Sequence, residues 1–158
     1  MKIKLLVMDV DGTLTDGRLY IGDHGEVMKA FDVKDGYAIA HFLPEAGIVP
    51  VIITAKESKI VERRAEQLGI MELYQHTEDK VTCLKKLAEK YHLVPEEIAY
   101  IGDDLFDLEG MSYCGFSACP ADSVEEIKKV ADYVCIHKGG RGAVREVIEK
   151  ITREMSEN

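Results

Sequence analysis

The sequence predicts a doubly wound α/β fold, a parallel sheet covered by helices on both faces, and three observations predict it. Short apolar runs alternate with amphipathic stretches of helical length along the 158 residues. The strand candidates are apolar at nearly every position, the pattern of strands buried on both faces. Carboxylates follow two of these strands and a threonine follows a third, at the strand ends where such sheets bind their ligands.

Leu5–Met8 reads as the first strand and runs into Asp9-Val10-Asp11-Gly12-Thr13. Residues 18–21 and 27–31 flank a Gly-Asp-His-Gly turn and read as a hairpin, which occupies about 16–34 with its approaches. Residues 35–46 carry Tyr37, Ile39, Ala40 and Leu43 at helical spacing and close at Pro44 and Gly47. A nearly all-apolar strand, 49–54, ends at Thr54, and a helix at 58–68 is stopped by Gly69. A short strand at 73–75 precedes a helix at Lys80–Tyr91, with Val81, Leu84, Leu87 and Ala88 as its repeat. Pro95–Glu97 gives one acidic turn before the strand Ile98–Ile101, which ends in Gly102-Asp103-Asp104. A short helix at 105–111 follows. Strands at 115–118 and 133–136 flank a helix at 123–130, and the last helix, 142–155, carries Val144, Val147, Ile148 and Ile151 on one face. Right-handed crossovers between these units give the doubly wound sheet. With no linker, repeat or low-complexity segment, residues 1–158 read as a single domain.

The composition, 46% hydrophobic and 31% charged, is that of an ordinary globular chain. No apolar run approaches the roughly 18 residues of a membrane span. The N-terminal run leads into acids rather than a small-residue cleavage site, so a cytoplasmic location is expected, with no membrane partner. The formal net charge of −9 argues against nucleic acid as a partner. An anionic substrate would then need a metal ion, or local lysine and arginine, to reverse the field at its site. The four cysteines form no Cys-x-x-Cys pair and read as reduced thiols.

Asp9, Asp11, Thr54, Asp103, Asp104 and Asp107 all fall after strands or one turn beyond, so they should meet at one edge of the sheet. Converging carboxylates repel and need a cation. Mg2+ suits an oxygen-only set, and the absence of histidine and cysteine at these positions argues against zinc. A carboxylate beside Mg2+ can attack a phosphoryl group and split one hard hydrolysis into two easier steps. A second carboxylate two residues on can protonate the leaving alcohol and later take a proton from water. Gly12 permits a sharp turn just after them. The Thr54 hydroxyl and the Lys80 ammonium can offset charge on the phosphoryl oxygens. Asp104 and Asp107 also suit a plain capping role at a helix start. Arg63 and Arg64 read as solvated, and the five histidines have no partner spacing that would give them a chemical role.

Taken in order, Asp9-Val10-Asp11-Gly12-Thr13, Thr54, Lys80 and Gly102-Asp103-Asp104-Leu105-Phe106-Asp107 resemble the four motifs of the haloacid dehalogenase superfamily of phosphatases. The resemblance implies Asp9 as nucleophile and Asp11 as general acid/base, with Thr54 and Lys80 on the phosphoryl group. It implies a Mg2+ ion on Asp9, Asp103 and the backbone carbonyl of Asp11, supported by Asp104 and Asp107. The hairpin directly after the first motif, the lack of a cap insertion and Gly139-Gly140-Arg141-Gly142 resemble the capless subgroup that includes 3-deoxy-D-manno-octulosonate 8-phosphate phosphatase. That subgroup implies a small sugar-acid phosphate as substrate and a place in lipopolysaccharide biosynthesis. It also implies a homotetramer in which hairpins associate and a neighbouring subunit, through Arg141, closes the site. The chain departs from the subgroup after the second strand, where Thr54-Ala55-Lys56 replaces the usual Thr-Gly-Arg, although Ala55 and Lys56 stay candidates for substrate contact. Relatives acting on nine-carbon, sialic-type 9-phosphates typically carry an acid there, so Lys56 matches neither pattern. Two other classes bear on the same residues. Receiver-type phosphoacceptor domains also cluster aspartates, threonine and lysine, but in a different order. A non-catalytic oligomerisation module would have no need to keep Asp9, Asp11, Lys80 and Asp103 together.

Overall fold

The computed structural model describes residues 1–157. In chain order its elements are β1 (Leu5–Met8), β2 (Tyr20–Gly22), β3 (Gly25–Met28), α1 (Val33–Tyr37), α2 (Leu43–Glu45), β4 (Val49–Ile53), α3 (Lys59–Gln67), β5 (Glu72–Tyr74), α4 (Lys80–Tyr91), β6 (Ile98–Ile101), α5 (Leu108–Tyr113), β7 (Phe116–Cys119), α6 (Glu125–Val130), β8 (Tyr133–Val134) and α7 (Ala143–Ser156). Six strands form one parallel sheet in the order β5-β4-β1-β6-β7-β8, and β2 and β3 pair separately as an antiparallel hairpin.

The all-apolar strands explain this layering. Each residue of β1 is buried, and successive side chains go to opposite faces of the sheet. Leu6 and Met8 join a core with Ile39, Leu43, Val61, Val147 and Ile148, under α3, α7 and the helical segment between α1 and α2. Leu5 and Val7 join the other core with Leu84, Leu87, Met111 and Ile127, under α4, α5 and α6. From β1 the chain adds β4 and β5 on one side, then crosses back to add β6, β7 and β8 on the other. The order therefore reverses between β1 and β6, and a crevice opens there beyond the carboxyl ends of the strands. Register sets its walls: Met8 lies opposite both Ile52 and Ile101, so Asp9, Ile53-Thr54 and Gly102-Asp103 emerge side by side.

Several boundaries differ from the sequence expectation for identifiable reasons. The first helix begins at Val33, before residue 35, because the Asp32 carboxylate caps it by accepting from the Lys34 and Asp35 N–H groups. A π-helical stretch, Ala38–Phe42, links α1 to α2, and Pro44 sits in the first turn of α2 without stopping it. The segment after β6 opens as a 3-10 turn, Leu105–Asp107, before α5. The hairpin strands are shorter and nearer the turn than expected. Arg64 is not solvated: its guanidinium lies 5.5 Å from the Phe31 ring centroid, and Nη2 donates to the Asp32 carbonyl at 3.4 Å. It thereby ties α3 to the start of α1.

The burial contrast yields a direct test. Leu6→Ala empties part of the core and costs about 2–5 kcal/mol in urea unfolding. Met71→Ala, at a side chain 90% exposed, changes it by less than about 0.5 kcal/mol.

Candidate active site

Asp9 follows the central strand, and its N–H is held by the Ile101 carbonyl at 3.1 Å, which places its carboxylate on the crevice floor. Lys80 opens α4. Its ammonium donates to Asp9 Oδ1 at 2.7 Å and to Asp107 Oδ1 at 2.8 Å, and its side chain is 2% exposed. Lysine at this depth is stable only when paired, and here it bridges two carboxylates from different strand ends.

Asp107 has both oxygens committed. Oδ1 also accepts from the Tyr100 hydroxyl at 2.8 Å, while Oδ2 accepts from the Asp103 and Asp104 N–H groups at 3.0 and 3.3 Å. The capping role and the site role therefore coincide in one buried side chain. Asp104 is exposed and caps the 3-10 turn through the Leu105 N–H. Asp103 is oriented from the opposite side, where the Thr13 hydroxyl donates to its Oδ1 at 3.0 Å.

Asp9, Asp103 and Asp107 bring carboxylate oxygens within 4.8 Å of one another. Burial, followed by the charge of Asp107, pushes Asp9 up to about 6 despite Lys80. Burial, followed by the charge of Asp9, pushes Asp103 up to about 9. Burial works against the Lys80 ammonium, yet Asp9 and Asp107 raise it overall. One ammonium against three carboxylates leaves uncompensated negative charge. The donors are all oxygen, so the set fits a hard divalent cation. Since Asp107 is fully engaged, Asp9 and Asp103 are the carboxylates able to turn toward such an ion.

Asp11 lies apart from this triad, half-buried. Its Oδ1 accepts from Lys29 Nζ at 2.6 Å, and Lys29 also pairs with Glu26 at 2.8 Å. No sequence motif pointed to Lys29, which comes from the hairpin side of the fold. Just after Asp11 the backbone turns through Gly12, whose φ is +91°. A Cβ on Gly12 would lie 2.0 Å from Asp103 Oδ2. Thr54 is buried beside the site, its N–H held by the Tyr74 carbonyl at 2.9 Å. Ala55 is half-buried and Lys56 exposed, on the rim. Arg141 is exposed, in the loop before α7. That loop packs on the turn after Asp11: the Gly140 N–H donates to the Thr13 carbonyl at 3.1 Å, and a Cβ on Gly139 would lie 1.8 Å from the Gly12 carbonyl oxygen. His137, which had no expected role, sits with Nδ1 2.6 Å from Glu146 Oε2 near the start of α7, away from these carboxylates.

A model of the haloacid dehalogenase-like hydrolases matches residues 49–148. The chain belongs to that family. It is 46% identical over 147 residues to the 3-deoxy-D-manno-octulosonate 8-phosphate phosphatase KdsC of Salmonella typhi, covering 93% of this chain and 78% of the relative. The KdsC of Escherichia coli K12 gives the same identity and coverage. Among solved structures, the Moraxella catarrhalis 3-deoxy-D-manno-octulosonate 8-phosphate phosphatase, in complex with magnesium, phosphate and KDO, superposes with a TM-score of 0.92 at 42% identity, over 96% of this chain and 86% of that one. The cobalt-bound Haemophilus influenzae enzyme gives 0.94 at 36% identity, over 98% and 90%. The chain is a phosphatase of this family, of the type without a cap domain.

Two tests follow from the geometry. Asp9 and Asp103 are raised above their ordinary value of 3.8, to about 6 and about 9, so the native state holds more protons than the unfolded chain across that window. Their contribution to the stability of the metal-free protein therefore declines from about pH 4 to pH 9. Added Mg2+ raises the melting temperature more at pH 8 than at pH 6, as thermal scans at both pH values would show. Gly139→Ala forces the loop off the Gly12 carbonyl, and we expect at least about a tenfold loss of kcat/KM from displacing the turn that carries Asp9 and Asp11, measured by phosphate release.

Proposed function

We propose that the protein is a Mg2+-dependent phosphomonoester hydrolase that works through an aspartyl-phosphate on Asp9. The observation that carries this reading is the placement of Asp9, Lys80, Asp103 and Asp107 around one crevice at the switch point of the sheet. Asp9 would attack phosphorus, and the bond from phosphorus to the substrate oxygen would break. Asp11, two residues on, would protonate the leaving alkoxide, then take a proton from the water that attacks the aspartyl-phosphate. Phosphate leaves, and the Asp9 carboxylate is regenerated. Lys80 steadies the nucleophile at 2.7 Å and offsets charge that builds on the phosphoryl oxygens. The Thr54 hydroxyl and the backbone near Ala55 would bind the phosphoryl group. Mg2+, held by Asp9, Asp103 and the Asp11 carbonyl, would supply charge neutralisation between carboxylate and phosphate. Asp107 orients Lys80 and the Asp103 backbone, while Asp104 shapes the turn.

The substrate we propose is 3-deoxy-D-manno-octulosonate 8-phosphate, supported by the 46% identity to enzymes that carry that name. The alternative substrate is a nine-carbon keto-acid 9-phosphate: Lys56 is neither the arginine fork of the octulosonate enzymes nor the acid of the nine-carbon relatives, so this position does not choose between the two. We also propose a cytoplasmic homotetramer in which Arg141 reaches a neighbouring site. In support, the large apolar side chains of Leu19, Ile21, Val27, Met28 and Val33, on and beside the hairpin, are all exposed in the single chain.

Phosphate release from both keto-acid phosphates and from simple sugar phosphates, with Mg2+ and with chelator, tests this. Preference for the octulosonate ester, lost with chelator and reduced at least about a thousandfold in Asp9→Asn, is the expected result. Mg2+-independent release, or full activity of Asp9→Asn, would sink the mechanism.

A further inference from the structure

We propose that Lys29 is a positioning residue for Asp11, and that it couples the hairpin to proton transfer. The inference rests on the acid/base role proposed for Asp11. Lys29 lies one residue beyond β3, and its side chain is 2% exposed although its neighbours Met28 and Ala30 are exposed. A lysine that loses both solvent and rotamer freedom needs strong partners. It has two, Asp11 Oδ1 at 2.6 Å and Glu26 Oε2 at 2.8 Å. The other oxygen of Glu26 accepts from the Ser58 hydroxyl at 2.7 Å, and Ser58 is the N-cap residue of α3, just beyond Thr54-Ala55-Lys56. The chain Asp11–Lys29–Glu26–Ser58 thus joins the catalytic turn, the hairpin and the loop after β4.

Two features make this a working arrangement rather than a surface ion pair. Lys29 holds Oδ1 of Asp11, and among the described residues none donates a hydrogen bond to Oδ2, which leaves that oxygen for the leaving group or the incoming water. Glu26 shares the ammonium, so Lys29 orients Asp11 without bringing an uncompensated positive charge. The Asp11 side chain is 24% exposed, more than those of Asp9 and Lys80, and among the described residues Lys29 alone fixes its rotamer through a side-chain bond. A carboxyl that must meet a departing oxygen gains from having its geometry set beforehand.

The test compares leaving groups. An alkyl phosphate needs proton donation to its departing oxygen, whereas p-nitrophenyl phosphate, with a stable phenolate, needs little. Lys29→Met should lower kcat/KM for the sugar-acid phosphate by about 10²-fold, the scale of general acid/base catalysis, with KM changed less than about twofold. For p-nitrophenyl phosphate, kcat/KM should fall less than about threefold. If Lys29→Met fails to fold, as judged by circular dichroism, Lys29→Gln keeps a donor and should show the same asymmetry at smaller size. Equal losses on both substrates would overturn the proposal in favour of a purely structural hairpin role. A rise in KM alone would make Lys29 a substrate contact, and unchanged kinetics would remove any role. Asp11→Asn run in parallel separates the two levels. If it shows the leaving-group asymmetry and Lys29→Met does not, the positioning role fails while the acid/base reading stands. If Asp11→Asn itself lacks the asymmetry, the acid/base reading fails and takes this proposal with it.

Discussion

The ammonium of Lys80, buried between Asp9 and Asp107, is the interaction on which the rest of the site depends. Taking three charged groups out of water is costly, and their attraction offsets that cost only if the remaining polar atoms also find partners. The structure meets the condition at Asp107, whose two oxygens accept from Lys80, Tyr100 and the N–H groups of Asp103 and Asp104. It does not meet it at Asp9 and Asp103, where negative charge remains in excess. A stable fold with charge left over at one place suits a protein that takes up a cation and an anionic group together.

The sheet supplies the rigidity that this arrangement requires. Asp9 leaves the central strand, Asp103 and Asp107 follow its neighbour β6, and Lys80 opens the helix after β5. The four groups are therefore carried by three parallel units, and the register of β1 against β6 and, through β4, against β5 sets their separations. The turn through Gly12 and the loop at Gly139 and Gly140 close against each other with no room for side chains. The first segment of the domain and the loop before its last helix thus meet beside Asp9. The hairpin is different in kind, with exposed large apolar side chains and a buried lysine that reaches Asp11.

The parallel sheet, its helices and the first, second and fourth motifs were legible because they follow from local rules: continuous apolar strands, helical periodicity and polar residues at strand ends. Lys80 could be nominated from its position alone, but its two partners could not, since they lie 71 and 27 residues away. Asp107 could be read as a cap or as a site residue, and only its hydrogen bonds show that it serves both ends. The start of the first helix was misplaced because the cap at Asp32 competes with a weak apolar pattern. Arg64 looked solvated because nothing in its own helix reveals Phe31.

The sequence by itself determined the fold class, the family resemblance and the identity of the carboxylates, because these are written in short-range patterns of apolar spacing and strand-end chemistry. The tertiary structure alone decided which charges pair, which remain uncompensated and that Lys29 reaches Asp11. Those outcomes depend on distances between side chains far apart in the chain, and on burial that turns a weak surface attraction into a strong constraint.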